Sequence, residues 1–176
     1  MASTTISPDP TQPFRNAMRR ALKFLHTIGA IGLMGAMACL LVMLAFTPAP
    51  VALSEYAAMR AAMGAIASWI LLPSLALTLV AGLLSMGFNP GYQNAGWALA
   101  KLATGILIFE GGFVGVVGPM QDEAERSAGA LAGQTDAATL AQSLGPEQNT
   151  LWVLLAVAVV NVVLGIWRPR FTKLRD

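Results

Sequence analysis

Five side chains in this sequence stand in or beside long apolar runs, where polar groups are costly: His26, Arg60, Lys101, Glu110 and Asn161. Ionisable residues at membrane depth are rare, and they face a bundle interior or a pathway rather than lipid. His26 is the single histidine of the chain. An imidazole can carry a proton or ligate a metal such as haem iron or copper, so His26 is the first candidate for chemistry. At 1.5 Å of rise per residue, His26 lies about 7 Å inside the end of its run. Lys101 and Asn161 each lie about 10 Å inside the ends of theirs. Three runs thus bring a polar group to one level, as a cofactor, proton or ligand site in one half of a bundle requires. The competing explanation is structural: Lys101 extends its ammonium to the headgroups, while His26 and Asn161 make hydrogen bonds between helices.

Glu110 follows Lys101 by nine residues, which places the two on opposite faces of a helix, so they cannot pair. Arg60 is the expected partner of Glu110, in a structural ion pair between adjacent antiparallel runs. Gly111-Gly112 beside it could loosen the helix. Nine methionines raise a copper reading, because thioether sulfur suits Cu(I). Met34 and Met37, however, lie about 12 and 16 Å from His26 along one helix and cannot share an ion with it. Gap-filling is the simpler role for the methionines, and burial as a small hydrophobe the simpler role for the lone Cys39. Gly29, Gly32 and Gly35, extended by Ala36, form a small-residue ridge on which a neighbouring helix can pack.

These residues must be positioned by elements suited to lipid. The chain is 176 residues long, 56% hydrophobic and only 11% charged, whereas soluble domains carry about 25% charged residues. Four apolar runs stand out, at about 21–46, 59–86, 94–118 and 151–167, each long enough to cross a hydrocarbon core of ~30 Å as a helix. The expectation is an all-α, four-helix transmembrane bundle. Pro73 lies inside the second run and predicts a kink, and Pro119 closes the third. Gly87-Phe88-Asn89-Pro90-Gly91 marks a turn between the second and third. Residues 1–20 read as a disordered basic tail and 168–176 as a basic C-terminal tail, with an external loop over 119–150. Within that loop, Asp136–Leu144 reads as a short surface helix capped by Asp136.

The charges set the orientation. Arg15, Arg19, Arg20 and Lys23 flank the first run, and Arg168, Arg170, Lys173 and Arg175 follow the last. The third loop holds Asp122, Glu123, Glu125, Asp136 and Glu147 against Arg126 alone. The positive-inside rule therefore puts both termini in the cytoplasm and that loop outside. Such basic flanks abut apolar spans, so the partner is the lipid bilayer and not nucleic acid. No Walker-type, GxGxxG, HExxH or CxxC pattern occurs, which leaves the familiar soluble-enzyme classes without support.

The order of residues resembles known families. Leu22-Lys23-Phe24-Leu25-His26 opens the first span, Trp69-x-x-x-Pro73 and Gly82 mark the second, and Trp97-x-x-x-Lys101 opens the third. Over about residues 20–118 this order resembles a bacterial membrane family described as domain of unknown function 2269. More distantly it is similar to the membrane-embedded protoporphyrinogen oxidase and copper-resistance protein D families. The oxidase resemblance implies haem b ligated at His26, with Lys101 as a second cofactor-binding residue. The Pro-Arg element that follows the first helix in that family is replaced here by Leu44-Ala45-Phe46-Thr47-Pro48. The resemblance also implies the bacterial cytoplasmic membrane as the location. The readings it leaves are a small haem-binding or redox membrane protein, or a non-catalytic accessory subunit or small-solute or ion carrier (copper, for instance). Either one works alone, as a homo-oligomer or with a partner subunit.

Overall fold

The computed structural model describes residues 12–89, 91, 95–140 and 143–167. Within them every regular element is helical, and four helices are long and apolar enough to cross a membrane. These are α1 (Gln12–Ala45), α2 (Leu53–Gly87), α3 (Gly96–Leu131) and α4 (Gly145–Trp167). They form a ring in which α1 packs on α2 and α4, and α3 packs on the same two. The inward stripes recur at helical spacing. On α1, for example, Leu33, Met37, Leu40 and Leu44 all face the core. Met63, Ala67, Leu71 and Leu75 meet them from α2, Ile108, Val116 and Met120 from α3, and Leu151, Leu154 and Ala158 from α4. Outward, Trp69 is 82% exposed and is joined by Ile31, Val114, Val153 and Trp167. An apolar exterior of this kind fits contact with lipid.

Several boundaries differ from those read in the sequence. α1 begins at Gln12 and not near Ala21, because the Arg, Ala and Met residues upstream are good helix formers. The tail expected over 1–20 is therefore helical from Gln12 onward, while residues 1–11 and the basic segment 168–176 lie outside the described residues. Pro119 does not end the third helix. α3 continues to Leu131, and its last turns pack against the first turns of α2, which begins at Leu53. Of the loop expected over 119–150, only the stretch between Leu131 and Gly145 stays outside α3 and α4. Its surface helix shrinks to a 3₁₀ turn, Ala137–Thr139, where Asp136 Oδ1 accepts from the Ala138 amide at 2.9 Å as the expected cap. Residues 141 and 142 lie outside the described residues.

Both intrahelical prolines are accommodated in the same way. A π-helical turn, Ala67–Leu71, precedes Pro73, and another, Phe113–Val117, precedes Pro119. Proline removes an amide donor and crowds the carbonyl four residues back, and a π turn absorbs that mismatch without breaking the helix. The two π turns touch one another across the α2–α3 interface.

Candidate functional site

On α1 the residues Arg19, Leu22, Lys23, His26, Ala30 and Leu33 recur every three or four positions and line one cavity of about 740 Å³. It lies at the end of the bundle where α1 and α3 begin and α2 and α4 end. Its walls are mostly apolar, with Leu75, Leu79 and Leu83 from α2, Trp97, Leu102 and Ile108 from α3, and Ala158, Val162 and Ile166 from α4. Among the described residues, the charged ones that line it are all basic: Arg19, Arg20, Lys23 and Lys101. A large apolar cavity with a few convergent polar groups is the usual form of a small-molecule site.

His26 and Lys101 both line this cavity, as their matched depths predict. They reach it from opposite corners of the ring, His26 on α1 and Lys101 on α3. His26 Nδ1 lies 2.8 Å from the carbonyl oxygen of Thr78. A carbonyl can only accept, so Nδ1–H is the donor and the proton sits on that nitrogen. Gly82 packs beside the imidazole. It stands one helical turn beyond Thr78, and a Cβ there would lie 3.5 Å from the imidazole. The expected alternative partner of His26, Asn161, is engaged elsewhere.

Asn161 is the partner of Lys101. Lys101 Nζ donates to Asn161 Oδ1 at 2.7 Å and to the Asn161 carbonyl at 3.1 Å. Asn161 Nδ2 donates in return to the Lys101 carbonyl at 2.9 Å and to Thr104 Oγ1 at 2.7 Å. Gly165, one turn beyond Asn161, leaves room for the amine, since a Cβ there would come within 3.1 Å of Nζ. Lys101 is therefore pinned inside the bundle by α4 and does not extend freely to headgroups.

The Arg60–Glu110 pair expected from the sequence is not formed. Arg60 is fully buried, and its Nη1 bonds Glu147 Oε2 at 2.7 Å, with Glu147 at 15% exposure. Arg60 Nε donates to Tyr56 Oη at 3.0 Å, and Tyr56 Oη donates to Glu123 Oε1 at 2.7 Å. The guanidinium also stands 5.2 Å from the Tyr56 ring centroid. Arg60 points to the end of the bundle opposite the cavity, where the extensions of α2 and α3 meet the start of α4. Glu110 instead lies exposed on the outer surface of α3. Sequence reasoning had grouped Glu147 and Glu123 with the acidic loop and so missed them. Glu123 falls four residues past Pro119, and only the continuation of α3 through that proline reveals it.

Cys39 is exposed and not buried as expected. Among the described residues no group of three His, Cys, Asp or Glu side chains gathers as a metal site. Haem asks for less, because the porphyrin nitrogens already hold the iron and the protein need add only an axial ligand. His26 with its backbone-fixed Nδ1–H, the apolar walls and the basic rim together fit such a group. Comparison with protein-family models, with curated proteins and with solved structures finds no match to this chain.

Proposed function

We propose that the chain is a multi-pass membrane protein that holds a haem b against His26 in the cavity between its four helices. The observation that carries this reading is the hydrogen bond from His26 Nδ1–H to the Thr78 carbonyl. It fixes the tautomer and leaves the Nε2 lone pair for a Lewis acid, and histidines that ligate metals are oriented by this same device. The apolar walls would receive the porphyrin faces. Arg19, Arg20 and Lys23 are suited to its carboxylates by charge-assisted hydrogen bonds. Lys101, pinned by Asn161, adds positive charge to the interior of the same cavity. A bound haem would supply one-electron chemistry, and the chain's own residues would bind it, orient it and limit its contact with water.

The proposal includes an orientation: both ends in the cytoplasm of a bacterial cell, with the acidic end of the bundle outside. Arg15, Arg19, Arg20 and Lys23 at the start of α1, set against Glu55, Asp122, Glu125 and Asp136 at the other end, support it. The deciding experiment is the absorption spectrum of the detergent-purified protein after incubation with hemin. A Soret band present in the wild type and lost in His26→Ala is expected, and a wild-type protein that stays colourless overturns the haem.

The basic lining itself favours a second reading. Among the described residues no acidic side chain lines this cavity, so it would equally suit a metal-free amphipathic anion. The chain would then be a carrier or accessory subunit, colourless, in which His26→Ala leaves binding largely intact and loss of the arginines removes it.

A further inference from the structure

Glu110 is the acidic residue of an otherwise apolar outer face. On α3 the exposed positions Ala103, Ile106, Leu107, Glu110, Phe113 and Val114 fall on one helical stripe. Along the helix the nearest ionisable residues are Lys101, nine residues before, and Asp122, twelve residues after. At 1.5 Å per residue these are about 13 and 18 Å away, so Glu110 sits well inside the apolar zone. Among the described residues it makes no hydrogen bond or ion pair. Arg60 is bound by Glu147 and Tyr56, and Lys101 by Asn161. A carboxylate at such depth is costly when it faces lipid alone.

We infer that the α3 face centred on Glu110 docks a transmembrane helix of a different protein, one that carries a lysine or arginine at the level of Glu110. Charge complementarity selects this occupant. An opposite charge from a neighbouring helix removes the cost of the exposed carboxylate, and the apolar residues above and below offer ordinary helix-packing surface. By its described residues, a second copy of this chain does not meet the requirement. Placed with the same topology, it would set Glu110 against Glu110. Its interior cations Lys101 and Arg60 are already bonded, Arg126 stands beside Glu123 about 24 Å farther along α3, and Arg15, Arg19, Arg20 and Lys23 lie at the end of the bundle beyond Lys101.

The test uses the full chain reconstituted in phosphatidylcholine vesicles with fluorophore-labelled, leucine-rich transmembrane peptides. One peptide carries a single lysine positioned to match Glu110, and the other carries leucine there. Energy transfer between protein and the lysine peptide should exceed that with the leucine peptide several-fold, and Glu110→Gln should erase the difference. Glu110→Asp, which keeps the charge, should retain most of it. Because the side chain points out of the fold, an unchanged far-UV circular dichroism spectrum is expected for both variants. Equal transfer with the two peptides overturns the inference, as does a lysine preference that survives Glu110→Gln. Self-association of the wild type through this face, abolished by Glu110→Gln, would assign the surface to a second copy and equally overturn it.

Discussion

Lys101 and Asn161 hold one another by reciprocal hydrogen bonds across the α3–α4 interface, each donating to the other's residue. The pairing satisfies an ammonium inside the bundle and fixes the register of α4 beside the cavity. Asn161→Leu is expected to strip Lys101 Nζ of its Oδ1 acceptor and the Lys101 carbonyl of its donor, while the backbone carbonyl of position 161 remains. The loss should be about 0.6 to 2 kcal/mol for such interhelical bonds, read as a lower midpoint of unfolding in detergent. Adding Lys101→Met to Asn161→Leu should recover part of that loss. A double variant no better than the single one would mean that the pair does not act as a unit.

The Arg60–Glu147 pair allows a sharper comparison. Removing one partner of a buried pair leaves an uncompensated charge and costs about 3 to 5 kcal/mol, whereas replacing both by apolar groups is often neutral. Among the described residues Arg60 Nη2 is also buried without a partner, which adds to the cost of keeping the charge. Glu147→Leu alone should therefore destabilise the protein severely. Arg60→Met combined with Glu147→Leu should unfold close to the wild type, as followed by thermal denaturation. Tyr56→Phe removes the hydroxyl that joins Arg60 to Glu123, and its cost should be about 1 to 3 kcal/mol.

The glycines of α1 are not equivalent. A Cβ at Gly29 would collide with Thr78 Oγ1 and come within 3.2 Å of the Ser74 carbonyl, and at Gly35 it would meet open space. Gly29→Ala should cost about 1 to 3 kcal/mol through overpacking against α2. Gly35→Ala should be neutral or slightly stabilising, since alanine is the better helix former. Chemical unfolding of the two variants side by side checks the difference.

For the cavity, Lys101→Met should weaken hemin retention in the purified protein, whereas His26→Ala abolishes the Soret band. Gly82→Ala is tolerated, because its Cβ would meet the imidazole at 3.5 Å, an ordinary van der Waals contact. Gly82→Leu should push the ring off the Thr78 carbonyl and weaken hemin binding as His26→Ala does.

Orientation is checked by labelling. With Cys39→Ala as background, Ser143→Cys should react with a membrane-impermeant maleimide in intact cells, Ser143 being exposed next to the start of α4. Reaction only after lysis would place the acidic end of the bundle in the cytoplasm.

Composition and apolar run length determined the helical class and the number of spans, because lipid leaves backbone polar groups to be satisfied internally and long uninterrupted apolar runs suit helices, not the short alternating strands of a barrel. Similar distances from the run ends also pointed to one end of the bundle for His26, Lys101 and Asn161, which line one cavity, since rise per residue is fixed. The partner of each polar group was not legible. Helical rotation and the order of helices around the ring decide which faces meet, and neither is written in the spacing along one segment. Arg60 illustrates this: sequence proximity of spans suggested Glu110, but the π turn before Pro119 carries α3 onward past the proline. The extended α3 and α2 then enclose Arg60 with Tyr56 and Glu123, and α4 brings Glu147 to it, while Glu110 is left on the outer face. The acceptor of His26 was equally hidden, because it is a backbone carbonyl, a group present at every residue.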